Sequence, residues 1–217
     1  MQASSCRLVK QKMNPSIARD TPPPQTQEEA AALHKQRLRA ELLARRKALT
    51  EEDKAAADAL IGQRVLHWCA AQAIHSLAVY QPIRREPDLS AAYNALAARG
   101  VHLCLPVVVD KQAALEFRAW QPGDMLEKDG MGTLVPPPGT AVVRPQALLI
   151  PCVGFNEKNY RLGYGGGFYD RTLAGKSPPL AVGVCYHFGR ADFAAQAHDM
   201  PLDALLTDGA VDAKSLP

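Results

Sequence analysis

No stretch of this chain approaches the ~20 consecutive apolar residues that a membrane-spanning helix needs, and no Cys-x-x-Cys pair occurs in it. Aromatic residues are scarce, at 6%. The first absence argues against a membrane-spanning protein. The second removes the common zinc and dithiol readings. Five cysteines (Cys6, Cys69, Cys104, Cys152, Cys185) are an odd number, and the last four sit inside apolar runs, as buried free thiols of a reducing cytoplasm do. The third bears on partners, because nucleic-acid binders usually interleave aromatics with basic residues over a folded face. Here residues 1–50 hold ten Lys/Arg against four Asp/Glu, a balance of +6, and the remainder hold fifteen against eighteen, a balance of −3. The positive charge is gathered at one end, so no nucleic-acid partner is expected.

What is present fits one enzyme-sized core: 217 residues, 47% of them hydrophobic, suffice for a single sizeable domain. Residues 1–25 read as a disordered N-terminal extension. Arg7, Lys10 and Lys12 interrupt any signal-peptide core, the Thr21-Pro-Pro-Pro tract spoils an amphipathic import helix, and Met13 is a second candidate start. Residues 26–217 read as one α/β domain. Thr26-x-x-Glu29 is a capping-box start for a helix to about Leu49, and Thr50 starts a second helix to about Ala70. Strands are expected at 76–80, 102–109, 115–120, 147–150, 180–186 and 204–207, with helices at 89–99, 168–174 and near 190–196. Residues 121–146, rich in proline and glycine, read as a surface connection. Strands alternating with helices argue for an α/β fold: a single-domain three-layer sandwich, a mostly parallel Rossmann-like sheet with helices on both faces.

The densest signal is Arg161-Leu162-Gly163-Tyr164-Gly165-Gly166-Gly167-Phe168-Tyr169-Asp170-Arg171. Glycine at this density implies a backbone that bends sharply or closely approaches a ligand. A strand precedes it and a helix follows, the arrangement that presents backbone N–H groups to phosphate. It is not a Walker A loop, since no lysine–hydroxyl pair follows the glycines. Nor is it a dinucleotide fingerprint, since Phe168 stands where the third glycine belongs. The alternative is a ligand-free surface turn, which has no need of two flanking arginines.

Ligands of such sheets collect beyond the carboxyl ends of the strands. That rule brings together Gln81 and Glu86 after the first strand, the glycine segment after strand 147–150, and His187 after strand 180–186. Asp199 precedes its strand and joins only if its loop folds back. Lys35 and Arg39 share a helix face, with Arg46 in line seven residues on, beside a stripe of Leu38, Leu42 and Leu49. This is either an inward-reaching cationic edge or a solvated basic face. Asp170 and Asp199 are candidate magnesium ligands, or a first-turn helix acid and a plain turn residue. Glu86 is a candidate substrate contact, or an exposed acid paired with Arg84 or Arg85.

These residues together resemble the 5-formyltetrahydrofolate cyclo-ligase (methenyltetrahydrofolate synthetase) family. The glycine segment carries its signature, and Lys35-x-x-x-Arg39, Tyr80-Gln81-Pro82, Glu86, His198-Asp199, Asp203 and Thr207 follow in family order across roughly residues 30–210. Phe168 departs from the usual tyrosine. The resemblance implies a cytoplasmic, monomeric enzyme. It would use ATP and Mg²⁺ to cyclise 5-formyltetrahydrofolate to 5,10-methenyltetrahydrofolate through a phosphorylated formyl intermediate. It further implies that Lys35, Arg39, Arg161, Leu162, Gly163, Tyr164, Gly165, Gly166, Gly167, Phe168 and Tyr169 meet the nucleotide, and that Gln81, Glu86 and Tyr169 meet the folate. Asp170 and Asp199 would serve the metal, with Lys35, Arg39 and Glu86 carrying the chemistry. Arg171 would either meet phosphate or brace the loop.

Overall fold

The computed structural model describes residues 26–209; the expected N-terminal extension, Cys6 and Met13 lie outside the described residues. Helix α1 (Gln27–Ala48) opens on the expected capping box: Thr26 accepts from Glu29 N–H while Glu29 reaches back to Thr26 N–H. Helix α2 (Glu51–Ala71) starts at Thr50, whose side chain accepts from Asp53 N–H. There follow β1 (Ser76–Ala78), α3 (Ser90–Ala98), β2 (His102–Val107) and β3 (Glu116–Ala119). Next come β4 (Glu127–Lys128), β5 (Leu134–Val135), β6 (Ala147–Pro151), β7 (Gly154–Phe155) and β8 (Arg161–Leu162). Helix α4 (Phe168–Leu173), β9 (Leu180–Val184), a 3-10 turn (His187–Gly189) and β10 (Ala204–Leu206) complete the chain.

Six strands form the central sheet in the order β10-β9-β6-β1-β2-β3, parallel throughout except for β3, which pairs antiparallel with β2. The chain leaves β1 in one direction to β2 and β3, then returns to β6 on the other side. The strand order therefore reverses between β1 and β6, and a crevice opens beyond the carboxyl ends at such a switch.

Alternation along β6 divides the core. Ala147 and Leu149 join the cluster that α2 and α3 build, with Ile61, Val65, Trp68 and Tyr93, while Leu148 and Ile150 join Phe117, Leu173 and Leu202 on the other face. Fully burying Ile61 and Val65, both 0% exposed, contributes about 1.5–3 kcal/mol each. Helices thus lie on both faces, unequally: α2 and α3 cover one, and the short α4 with its loops covers the other. Helix α1 stands apart from both and packs Leu38 and Leu42 on Val153, Leu162 and Phe193 at the ends of the strands. It comes so close there that a Cβ on Gly154 would lie 2.6 Å from Leu42 Cδ1.

Several expectations change. Residues 190–196 form no helix, and the one turn of helix lies earlier, at His187–Gly189. An isolated bridge joins Arg190 to Phe155, and Phe193 serves as a plug under α1. Residues 121–146 hold a small hairpin, β4 with β5. A second hairpin, β7 with β8, delivers the glycine segment, where a plain loop was expected.

Candidate active site

Backbone conformation makes the glycine segment what it is. Gly165 has φ 93° and Gly167 has φ 66°, both in the left-handed region, where a Cβ costs about 1–2 kcal/mol. Gly167 is the N-cap of α4 and supplies no side-chain cap. Among the described residues, the amides of residues 163–170 donate no hydrogen bond outward. A run of unsatisfied N–H groups ending in a helix N-terminus is an anion cradle.

Two arginines brace this cradle from the rear. Arg171 donates to the carbonyls of Ala113, Lys111 and Gly166, which assigns it to bracing the loop. Arg161 donates to Met200 O and pairs with Asp170 Oδ1 at 2.6 Å. Leu162 is buried in the core under α1. Phe168 lies under the Arg171 guanidinium, 4.9 Å from it. Tyr169 packs its ring against the core of the α4 face, and burial pushes its phenol well above the usual range.

Helix α1 supplies the cations. Lys35, 5% exposed, sits with Nζ 2.6 Å from Asp199 Oδ2 and 5.7 Å from the Phe193 ring. Arg39 donates from Nε to Gly163 O at 2.7 Å. Burial lowers the Arg39 pKa, opposed by nearby Asp199. The loop carrying Asp199 does fold back to the crevice: Asp199 Oδ2 also accepts from Gln196 N–H, and Met200 N–H donates to Asp170 Oδ1. Burial works against the Asp199 charge, but Gln196, Lys35 and His198 more than offset it and hold the carboxyl below its ordinary range. The solvated-face alternative for Lys35 and Arg39 is thereby removed.

Glu86 is not the exposed acid that its neighbours suggested; it is 1% exposed. Arg84 and Arg85 both have positive φ (48° and 58°), and Glu86 N–H donates to Ile83 O, which makes a tight type I′ turn. Glu86 Oε2 closes the turn by accepting Ile83 N–H, and Oε1 accepts the Tyr164 hydroxyl at 2.9 Å. Burial raises the Glu86 pKa; Ile83 N–H, Tyr164, Arg46 and Arg84 act the other way. Gln81 is half-buried.

Sequence reasoning missed the burial of Arg46. It is 1% exposed and donates to Cys152 O at 2.5 Å and to the Tyr164 hydroxyl at 3.1 Å. Its place on the Lys35–Arg39 face was the available signal. Cys152 itself is buried, its thiol pushed up to about 12, which removes it as a nucleophile.

Magnesium carried on a nucleotide needs only one or two protein carboxylates. Among the described residues no cluster of three or more His, Cys, Asp or Glu could hold a cation unaided. Asp170 fits the lesser requirement, since only its Oδ1 is engaged. Asp199 fits it less well: Lys35 and Gln196 share its Oδ2, and His198 Nε2 stands 3.7 Å from its Oδ1. A surface cavity of about 990 Å³, lined by His34, Asn156, Tyr160 and Phe193 among others, opens beside the Lys35 end of α1. Among the described residues no helix is long and apolar enough to cross a membrane.

Residues 31–208 match the model of the 5-formyltetrahydrofolate cyclo-ligase family. Curated relatives with that name include one from Mycoplasma pneumoniae, 28% identical over 81% of this chain and 99% of its own length. Another is from Escherichia coli, 29% identical over 77% and 96%. Two solved structures are similar. A 5,10-methenyltetrahydrofolate synthetase from Mycoplasma pneumoniae has a TM-score of 0.68 at 28% identity, covering 81% of this chain and 99% of its own. One from Aquifex aeolicus has 0.70 at 27%, covering 84% and 96%.

Proposed function

Since the chain belongs to the 5-formyltetrahydrofolate cyclo-ligase family, we propose that it is an ATP-dependent ligase that closes 5-formyltetrahydrofolate to 5,10-methenyltetrahydrofolate. The observation that carries this reading is the run of uncommitted amides over residues 163–170, with Arg39 braced against Gly163. It is a fixed array of donors for terminal phosphates, and Lys35 stands on the same helix face.

The formyl oxygen of the substrate is a poor leaving group. It attacks the γ-phosphorus of ATP, the bond from that phosphorus to the β,γ-bridging oxygen breaks, and ADP leaves. The phosphorylated formyl carbon is now an iminium-like electrophile. Nitrogen 10 of the folate donates its lone pair to that carbon and closes the ring. The carbon–oxygen bond then breaks, inorganic phosphate departs with its electron pair, and the nitrogen 10 proton is released. No protein nucleophile is needed, in keeping with thiols held protonated by burial.

The chain's contribution is positioning and charge. Loop amides and Arg39 hold the transferring phosphoryl group, and Lys35 neutralises charge on the departing ADP. Asp170 would hold magnesium carried on the nucleotide, which would supply further neutralisation, and Asp199 keeps Lys35 in place. The cavity beside Phe193 has room for the rest of the nucleotide. Glu86 serves the folate from beneath Tyr164, whose hydroxyl points inward onto Glu86 and Arg46, so that substrate meets the exposed part of the Tyr164 ring. Tyr169 and Gln81 form the adjoining wall.

The test is direct. The purified chain is mixed with 5-formyltetrahydrofolate, ATP and Mg²⁺, and methenyltetrahydrofolate is followed by its near-ultraviolet absorbance. Product that depends on all three supports the reading; folded protein that yields none refutes it.

A further inference from the structure

We propose that Arg46 is a positioning residue for the folate: it holds the Tyr164 hydroxyl on Glu86 and so fixes the Tyr164 ring against the turn after β1. The inference rests on the proposed function for its substrate, but the geometry behind it is independent of that reading.

A tyrosine hydroxyl has one proton to give and two lone pairs to receive. Tyr164 gives its proton to Glu86 Oε1 at 2.9 Å and receives Arg46 Nη1 at 3.1 Å. The other arm of the guanidinium, Nη2, donates to Cys152 O at the end of β6, and the Tyr186 ring lies 5.9 Å from its centre. One buried fork thus reads the position of the strand end and the position of the loop hydroxyl together. Lysine, a single point of charge, does not reproduce this.

The anchoring matters because Tyr164 needs one. It is 36% exposed, Gly165 after it has φ 93°, and a Cβ on Gly163 before it would touch nothing. Arg39 on Gly163 O and Arg171 on Gly166 O hold the backbone on either side, so the hydroxyl contacts fix the ring rather than the loop. Arg84 covers one side of the ring at 5.2 Å, and among the described residues Arg46 and Glu86 alone bond the hydroxyl. The cations facing Glu86 are Arg46 and Arg84; the other titratable groups around it are the phenols of Tyr80, Tyr93, Tyr164 and Tyr169 and the thiols of Cys152 and Cys185. Arg46 is thus one of two permanent charges that oppose the rise burial imposes on Glu86, and it also holds the hydroxyl.

The experiment is a double-mutant cycle on the full chain with Arg46→Lys, Tyr164→Phe and both together. KM for folate, KM for ATP, kcat and melting temperature are read for each. Hydrogen bonds in a network with charged groups imply a rise in folate KM of about tenfold for Tyr164→Phe, with ATP KM within about twofold of the parent because the loop backbone is unchanged. Arg46→Lys raises folate KM in the parent and adds nothing on the Tyr164→Phe background, since both act on one hydroxyl. Equal effects of Arg46→Lys on the two backgrounds, or an ATP KM that rises in step with the folate KM, overturn the proposal. If Arg46→Lys does not fold, the side-chain nitrogen resonances of Arg46 decide: they shift in Tyr164→Phe, and an unshifted spectrum overturns it. An inactive parent is a separate failure, of the proposed function alone.

Discussion

Lys35 Nζ lies 2.6 Å from Asp199 Oδ2, with both side chains largely buried. This ion pair ties the first turns of α1 to the segment before the last strand. It is also where the nucleotide reading is exposed to test by mutation. Lys35→Ala is expected to raise KM for ATP at least tenfold, by removing a charge from the phosphates. It should also lower the melting temperature, because a buried carboxylate left unpaired is costly. Asp199→Asn should cost stability but raise ATP KM far less, as Lys35 keeps its charge. Steady-state kinetics with thermal melts separate the two effects.

The pH dependence of stability should carry two opposite signatures. Asp199 is held below its ordinary value of 3.8, so the stability it contributes is present above that value and is lost as pH falls through the lower folded value. Glu86 is raised above 4.5, so its contribution is present below 4.5 and is lost as pH rises through the higher folded value. The melting deficit of Asp199→Asn should therefore shrink below about pH 4. Glu86→Gln should gain on the parent as pH rises above 4.5. Melting curves recorded from pH 3 to 8 give both slopes, and slopes of the same sign would contradict the assignments.

The cradle itself can be stressed at one atom. Gly167→Ala forces a side chain into φ 66° and within 2.7 Å of Arg171 Nη1. The backbone cost is about 1–2 kcal/mol, which a domain of this size tolerates, but displacing amides at the N-terminus of α4 should lower kcat/KM for ATP by about two orders of magnitude. A variant with parent kcat/KM and a lowered melting temperature would show that the loop does not hold phosphate.

Asp170→Asn keeps an acceptor for Met200 N–H but drops the charge that faces Arg161. Turnover should fall at least tenfold and the magnesium concentration for half-maximal rate should rise, while melting moves by only a few degrees. Parent-like magnesium dependence would remove Asp170 from the metal role.

Much of this was legible in the residues, for reasons that differ by element. Thr26 and Glu29 announce α1 because capping is local chemistry, and the β6 strand shows as an apolar run ended by Pro151. The glycine spacing shows a sharply bent backbone before α4, which Gly165 and Gly167 at positive φ supply. Non-local pairing was the obstacle elsewhere. Residues 190–196 looked helical, yet Phe193 is recruited to plug α1 and Asn156 Nδ2 donates to its carbonyl. The two small hairpins are too short to register as alternation. Glu86 read as a candidate substrate contact, with an exposed acid paired to the preceding arginines as the alternative; the turn made by Arg84 and Arg85 at positive φ turns it inward. Arg46 stood on the right helix face, but its burial depends on Tyr164 and Cys152, more than a hundred residues away.

The most direct measurement is a backbone amide titration: nitrogen-15-labelled protein, a non-hydrolysable ATP analogue with Mg²⁺, and chemical shifts read residue by residue. The account predicts that the largest shifts fall on residues 163–170, with the Arg39 side chain moving alongside them, and that Gly167→Ala abolishes them. Saturable nucleotide binding that leaves those amides unmoved would contradict it.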